Sequence, residues 1–345
     1  MRKATVMSRT PDGSAPPVTA GLSFAATVDR ALLHRRNPAE AFLTGAVRTG
    51  PAGFTAAALL PAEHPHYAGH TGPSRRRDPM LLLECARQAE TYAAHALFGV
   101  EPDAHFVLRN WSAEFPSTRA GASRSAAATT APSPSELLIA AVTSNPRVVR
   151  DRVRGLDYQL ELWAAGDLIG RIRMEVGYLS HPAYRVVRSR EHPGALPSSD
   201  DLTPAGGRPV APARVGRVRP TDAVLLDVAA RDRTVSARLR VPVENTSLFD
   251  HAQDHIPAMV LVEAARQLAA LATEQWGGAG PEHTEMTAMS SSFSAYAELA
   301  EPIELIATPV DGARGTVEVR FRQAGAEIAQ ARLAMTEPEP ESRMA

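Results

Sequence analysis

The sequence predicts an α+β protein made of two similar units, each an antiparallel β-sheet wrapped around one long central helix. Motifs in the first half of the 345-residue chain recur in the same order in the second half, and each half contains one long apolar segment followed by short strand-like runs. A helix that is apolar on nearly every side needs other elements to enclose it. The length corresponds to roughly two domains of about 150 residues.

The repeat is clearest in the predicted helix. The segment Met80-Leu-Leu-Leu-Glu-Cys-Ala-Arg-Gln88 recurs in the second half as Met259-Val-Leu-Val-Glu-Ala-Ala-Arg-Gln267. Upstream, Pro38-Ala-Glu-Ala-Phe-Leu recurs as Pro220-Thr-Asp-Ala-Val-Leu, at nearly the same spacing. Because the order of these segments is kept, we interpret the halves as two copies of one structural unit.

The two copies differ in length after the helix. The segment at 165–173 recurs at 324–332, and this spacing is clearly shorter than the one between the two helix segments. The first copy must therefore hold additional residues between its helix and this segment. A run of Ser, Ala, Thr and Pro at 117–135 has no periodicity and is predicted to be a flexible insertion.

In chain order, each unit is predicted to begin with short strands, continue with the helix and end with further strands. The helices are predicted at 79–98 and 257–276. Gly166 and Gly325 suit hairpin turns, because glycine readily adopts positive φ. The predicted strands are 41–46, 106–115, 136–143, 158–163 and 168–176, then 223–228, 287–296, 303–310, 316–322 and 328–335. This is the hotdog pattern, so the chain is predicted to be a tandem (double) hotdog.

The repeat and a stretch rich in Pro, Gly and Ser also set the predicted domain boundaries. We predict a disordered tail at 1–24, an N-terminal hotdog domain at 25–185, a linker at 186–212, a C-terminal hotdog domain at 213–337 and a short tail at 338–345.

Composition excludes several classes of function. The net charge of −1 gives no basic field for nucleic acid or a membrane surface, so neither is expected as a partner. The only lysine is Lys3, which excludes a core lysine nucleophile, and the only cysteine is Cys85, which excludes an internal disulfide. The first residues lack the apolar core of a signal peptide, so we expect a cytoplasmic protein.

Each predicted helix carries a narrow polar stripe at helical spacing. Glu84 is followed by Arg87 and Gln88, and Glu263 by Arg266 and Gln267. Burying a carboxylate and a guanidinium is costly unless they are paired. Two interpretations stay open: a structural Glu–Arg bridge, or a site in which the glutamate is a general base and the arginine binds an anionic substrate, since its planar fork suits phosphate.

A histidine cluster precedes each helix. The first holds His64, His66 and His70, and the second is Asp250-His-Ala-Gln-Asp-His255. Both are predicted to lie near a helix N-terminus, where free amides and the dipole favour a developing oxyanion. The first cluster could also bind a metal ion, although no further ligand type supports this, and loop histidines without a function are common.

Several of these motifs resemble the AfsA family, the A-factor or γ-butyrolactone synthases of actinobacteria. The resemblance covers residues 33–335. Its motifs are Leu33-His-Arg-x-Asn-Pro-x-Glu40, His64-Pro-x-Tyr-x-x-His70, Asp78-Pro-Met-Leu-Leu-Leu-Glu84, Asp250-His-x-x-Asp-His-x-Pro-x-Met259 and the repeated Glu-x-Ala-Arg-Gln. Ala258 and Arg35 depart from the family, which usually has Gly and Lys at these positions.

The resemblance implies an acyltransferase. Members transfer a β-ketoacyl group from an acyl carrier protein to the hydroxyl of dihydroxyacetone phosphate, giving an ester that is the precursor of a butenolide, γ-butyrolactone or furan signal for antibiotic production. No cofactor and no metal are implied. The acyl carrier protein and the triose phosphate are the expected partners.

The resemblance, together with a wider one to β-hydroxyacyl carrier protein dehydratases, assigns roles to residues. Glu263 is expected to be the general base, Arg266 to bind phosphate or carboxyl oxygens and His255 to polarise the thioester carbonyl, with Glu84, Arg87 and His70 as the equivalent set. The residues expected to bind substrate are Gln88, Gln267, His251 and Asp254. Two alternatives remain: a dehydratase or thioesterase acting on acyl thioesters, or a sensor that only binds an acyl chain or lactone.

Overall fold

A computed structural model describes residues 16–17, 19–71, 77–116, 136–191, 194–203 and 206–337. The predicted insertion at 117–135, the predicted tail at 338–345 and residues 1–15 of the predicted N-terminal tail lie outside the described residues.

The strands of the two units match one another in number and order. The first unit contains β1 (Leu43–Arg48), β2 (Gly53–Leu59), β3 (His105–Glu114), β4 (Glu136–Val149), β5 (Arg152–Ala164) and β6 (Asp167–Leu179). The second contains β7 (Leu225–Arg231), β8 (Thr234–Leu239), β9 (Glu285–Phe293), β10 (Ile303–Pro309), β11 (Thr316–Gln323) and β12 (Ala326–Thr336).

The described strands form one 12-stranded sheet in the order β1-β2-β4-β5-β6-β3-β9-β12-β11-β10-β8-β7. All neighbours are antiparallel. The two predicted sheets are joined where β3 pairs with β9, with Trp111 opposite Ser291. This pairing satisfies backbone groups that each half-sheet would otherwise leave exposed at its edge.

Two long helices lie inside the curved halves of the sheet. Helix α1 spans Pro79–Ala96, and the later of the two spans Ala258–Gln275. Both are buried on almost every side, which agrees with their apolar sequences. The predicted architecture of two antiparallel half-sheets, each around a long helix, is confirmed.

A further helix, α2, spans His181–Glu191 and overlaps the start of the predicted linker. Its basic residues are mostly exposed, but Tyr184 and Arg188 are buried. The long helix of the second unit, Ala258–Gln275, is therefore α3 in chain order. None of the helices in the described ranges combines the length and apolarity needed to cross a bilayer.

Candidate active site

A cavity of about 840 Å³ lies where the two units meet. One wall comes from the first unit: α1, β3 and β6. The other comes from the second unit: residues 247–259, which lead into α3, and residues 293–297 after β9. Its size is in the range of small-molecule sites. Apolar side chains cover much of it, among them Phe106, Leu108, Met174, Val176 and Leu261.

Two aspartate–histidine pairs line the cavity in the loop before α3. Asp250 Oδ2 lies 3.3 Å from Nδ1 of His251, and Asp254 Oδ1 lies 2.6 Å from Nδ1 of His255. The Gln253 Nε2 amide, which can only donate, lies 2.9 Å from Nε2 of His251. Both ring nitrogens of His251 are thus occupied.

His255 differs from His251 in having one ring nitrogen without a hydrogen-bond partner among the described residues. Burial alone would raise the pKa of Asp254, but hydrogen bonds from His255 and Tyr184 and the nearby Arg188 hold it at about 2. An ionised carboxylate only accepts hydrogen bonds, so Nδ1 of His255 carries the proton. In the neutral ring Nε2 is then unprotonated, as a general base requires.

Arg87 of α1 lines the opposite wall. Its Nε and Nη2 donate to the two oxygens of Glu84 at 2.8 and 2.7 Å, and Nη2 also donates to the Leu33 carbonyl at 3.3 Å. No hydrogen bond to the described residues occupies Nη1, and 21% of the side chain is exposed. Nη1 can therefore donate two hydrogen bonds to a bound anion.

Glu84 itself is fully buried, and it is not one of the described residues that line the cavity. Burial alone would raise its pKa, but Arg35 and Arg87 hold it at about 2. Arg35 Nη2 lies 2.7 Å from Glu84 Oε1, and Gln88 donates to the same oxygen at 2.7 Å. The carboxylate fixes Arg87 in place and has no exposed oxygen.

The same arrangement recurs around Glu263 in α3. This carboxylate is fully buried and bonded by Arg217 at 2.8 Å, Arg266 at 2.8 and 2.9 Å, and Gln267 at 2.6 Å. Burial opposes ionisation, yet Arg217 and Arg266 hold the pKa of Glu263 well below its usual range. In both units the geometry favours the structural bridge that the sequence left open.

The two glutamines also serve the fold. The Gln88 amide bonds Phe42 N at 2.9 Å and the Glu40 carbonyl at 2.7 Å, and Gln267 bonds Val224 N and the Asp222 carbonyl in the same way. Both side chains are fully buried. Each therefore ties its helix to the segment that enters the first strand of its unit.

The structure thus divides the predicted site residues into two groups. The cavity brings together Arg87, His251, Asp254 and His255. The residues that do not line it, within the described part of the chain, are Glu84, Gln88, Glu263, Arg266, Gln267 and His70. Burial lowers the pKa of His70, whose neighbouring charges include Asp78 and Arg217.

The imidazoles of His64 and His66 in the first cluster lie near different acids. His66 Nδ1 is 3.0 Å from Asp222 Oδ1, and His64 Nε2 is 3.5 Å from Glu40 Oε1. Among the described residues, no group of three or more His, Cys, Asp or Glu side chains could hold a metal ion.

Several residues at the site were not identified from the sequence. Arg35 and Arg217 are separated by the same number of positions as Pro38 and Pro220, so they are equivalent residues of the repeat. This equivalence could have predicted that each buried glutamate has a second arginine partner. Glu90 lines the cavity and lies two positions after Gln88, the last residue named in the predicted stripe. A charge within an apolar helix was its only signal.

Glu90 is a buried acid within a hydrogen-bond chain. Tyr178 OH donates to Glu90 Oε1 at 2.9 Å, and Tyr158 OH lies 2.6 Å from Tyr178 OH. The Thr91 hydroxyl lies 2.9 Å from the Arg87 carbonyl and 3.1 Å from Glu90 Oε2. The single hydroxyl proton of Thr91 cannot be donated to both acceptors. If Glu90 is protonated, its carboxyl can donate to the Thr91 oxygen, and each contact then has one donor and one acceptor. Accordingly, burial raises the pKa of Glu90 to about 7.

Two antiparallel half-sheets, each enclosing a helix, with a cavity at their junction, define a double hotdog protein. Residues 19–180 and 200–337 match the A-factor biosynthesis hotdog domain, AfsA. The chain belongs to this family, and the resemblance of its motifs is confirmed.

Relatives of known name cover most of the chain. A 2-oxo-3-(phosphooxy)propyl 3-oxoalkanoate synthase of Streptomyces virginiae is 34% identical over 295 residues, which are 85% of this chain and 92% of the relative. A synthase of the same name from Streptomyces coelicolor is 32% identical over 302 residues, 85% of this chain and 86% of the relative. The dehydratase domain from the CurF module of curacin polyketide synthase is 11% identical, with a TM-score of 0.48 over 90% of this chain and 99% of that chain.

Proposed function

We propose that this protein is an acyltransferase that joins a 3-oxoacyl group, carried as a thioester on an acyl carrier protein, to the hydroxyl of dihydroxyacetone phosphate. The family and the names of the two Streptomyces synthases support the reaction type and both halves of the product. The carrier protein as acyl donor follows from the family resemblance. Location in the cytoplasm stays a prediction.

One observation carries the proposal. A single cavity holds an available imidazole nitrogen on His255, an available guanidinium nitrogen on Arg87, and apolar walls between and beside them. The imidazole nitrogen can act as the base, the guanidinium nitrogen can bind the phosphate, and the apolar walls can contact the acyl chain. Because His255 belongs to the second unit and Arg87 to the first, we assign the active site to this junction.

The proposed reaction needs one proton acceptor. Nε2 of His255 takes the proton of the substrate hydroxyl while that oxygen attacks the thioester carbonyl. A C–O bond forms, the C–S bond breaks, and the imidazolium returns the proton to the leaving thiolate. Asp254 holds the ring in the required tautomer and stabilises its positive charge.

The N-terminus of α3 supports the same step. Ala258 and Met259 line the cavity, and no side chain caps this end of the helix in the described structure. The first amides of a helix have no intrahelical acceptor, so they can bind a developing oxyanion. By contrast, Asp78 caps α1 by accepting from Met80 N at 2.9 Å.

Arg87 is the proposed phosphate anchor. Its orientation is fixed by Glu84, so little side-chain entropy is lost when the anion binds. The role first expected for Glu84 and Glu263, that of general base, passes in this proposal to His255. The glutamates instead hold arginines.

The proposal is tested by mixing purified protein with a 3-oxoacyl carrier protein and dihydroxyacetone phosphate, and following the ester by mass spectrometry. We expect ester with wild type, a loss of about 10²–10⁴-fold in kcat with His255→Asn, and an increase in KM for the phosphate with Arg87→Met. His70→Asn is the matched control, because His70 does not line the cavity among the described residues. Absence of ester with wild type would refute the function.

The same mixture separates the alternatives. A thioesterase or dehydratase would consume the acyl thioester equally well without dihydroxyacetone phosphate. A sensor would retain the acyl chain or lactone without turnover.

A further inference from the structure

Helix α2 spans the end of the predicted N-terminal domain and the start of the predicted linker, and two of its side chains are buried beside the Asp254–His255 pair. Tyr184 is 2% exposed and Arg188 is 0% exposed. They stand four residues apart, so they project from the same face of the helix. The rest of α2 is mostly exposed, so this face is where the helix contacts the protein.

Tyr184 contacts the carboxylate of Asp254 directly. Its hydroxyl donates to Oδ2 at 2.6 Å, while Oδ1 accepts from Nδ1 of His255 at 2.6 Å. Both oxygens are therefore engaged, one by α2 and one by the imidazole. The Tyr184 ring also stacks on His105 at a centroid distance of 3.7 Å, which fixes the direction of its hydroxyl.

Arg188 contacts the backbone of Asp254 and the side chain of Glu298. Nη2 donates to the Asp254 carbonyl at 3.2 Å, and both terminal nitrogens bond the Glu298 carboxylate. Residue 298 bridges to His255 through an isolated antiparallel pairing. A fully buried guanidinium needs such partners to offset its desolvation.

Tyr296 completes the support. The guanidinium of Arg188 lies 4.5 Å above the centre of this ring, and the ring meets the imidazole of His255 edge to face at 5.0 Å. The imidazole is thus held by Asp254 at Nδ1 and by an aromatic ring that itself packs on Arg188. Asp254 and Tyr296, the two residues that hold the imidazole, are both in contact with side chains of α2.

From these contacts we infer that Tyr184 and Arg188 are positioning residues, which hold Asp254 and His255 in the orientation that the proposed acyl transfer requires. Helix α2 is then part of the active site and not only a connection between units. The inference rests on the proposed function for its kinetic consequence, but the geometry can be measured without turnover.

The decisive variant is Tyr184→Phe, which keeps the ring and removes only the hydroxyl. A hydrogen bond to a charged group is stronger than one between neutral groups, so we expect its loss to lower kcat by about 10–100-fold. KM for dihydroxyacetone phosphate should stay within about twofold, because Arg87 is untouched. Arg185→Met is the matched control: Arg185 is exposed on the same helix and should leave both constants unchanged.

Proton NMR gives the readout that needs no substrate. The Nδ1 proton of His255, held by Asp254, should give a protected downfield resonance in wild type and in Arg185→Met, and this resonance should shift or be lost by exchange in Tyr184→Phe. Arg188→Lys keeps the charge but not the two-pronged contact with Glu298, so it should recover only part of kcat relative to Arg188→Met.

The outcomes are distinguishable. An unchanged resonance in Tyr184→Phe, or a loss of activity that appears only in KM, would overturn the positioning role while leaving the acyl transfer intact. If wild type forms no ester, the proposed function fails, and the resonance still decides whether α2 orients the pair.

Discussion

Glu90 is the buried carboxyl for which the structure makes the sharpest prediction. We consider Glu90→Gln, which replaces the acid by an amide of the same shape. The amide oxygen can accept from Tyr178, as the carboxyl does, and the amide nitrogen can donate to Thr91. The variant therefore reproduces the protonated form of Glu90 and cannot ionise.

The magnitude follows from the pKa. Burial raises the pKa of Glu90 from 4.5 to about 7, and a difference of one in pKa corresponds to about 1.36 kcal/mol. Because the folded pKa lies above the unfolded one, the folded state binds the proton more tightly. Stability from this group is fully present below pH 4.5 and is lost as pH rises through about 7.

Glu90→Gln should therefore equal wild type in unfolding free energy near pH 4.5 and exceed it by up to about 3 kcal/mol near pH 8. The assay is urea unfolding of both proteins at a series of pH values. A difference that does not change with pH, or a variant less stable than wild type near pH 8, would refute the protonated buried acid.

Glu84→Gln is the control with the opposite sign. Burial alone would raise the pKa of Glu84, but Arg35 and Arg87 hold it at about 2. A depressed folded pKa gives stability above the unfolded value of 4.5, which is lost as pH falls towards 2. This variant should thus be less stable than wild type at neutral pH, with a difference that shrinks in acid.

Three further predictions concern Arg217, the Asp254–His255 pair and Arg87. Arg217→Met should lower the unfolding free energy by about 3–5 kcal/mol in urea titrations, because Glu263 loses a buried partner; a change below about 1 kcal/mol would contradict this. Asp254→Asn should lower kcat by about 10²–10⁴-fold, since an amide donor towards Nδ1 of His255 reverses the tautomer; unchanged turnover would exclude His255 as the base. Arg87→Lys should raise KM for dihydroxyacetone phosphate more than it lowers kcat, because a lysine lacks the fork geometry; an unaffected KM would place the phosphate elsewhere.

Particular residues show how far sequence reasoning reached at the site. The Asp250 to His255 motif and Arg87 were identified from local spacing, and the structure places them on one cavity. Glu84 and Glu263 were identified by the same means, but whether a buried carboxylate faces a cavity or a second arginine depends on residues distant in sequence. Glu84 accepts a hydrogen bond from Arg35, which lies 49 positions away in the chain.

Tyr184 shows the limit most clearly. It lies 70 residues from Asp254 in the chain, at the end of the predicted N-terminal domain and two positions before the predicted linker. A short amphipathic helix rich in arginine has no local feature that reveals which buried group its two inward side chains meet. Only the packing of α2 against the loop before α3 determines that contact.

The sequence by itself determined the architecture: the repeat set two equivalent units, and the near-uniform apolarity of 79–98 and 257–276 required each helix to be enclosed. The tertiary structure decided which polar groups are available for chemistry. The spacing of apolar residues predicts which side chains are buried, because burial follows the local sequence pattern. The partner of a buried charge comes from a segment far away in the chain, so it is determined only by how the segments pack together. That is why His255 and Arg87, from different units, share a cavity, while Glu84 and Glu263 are confined to their arginines.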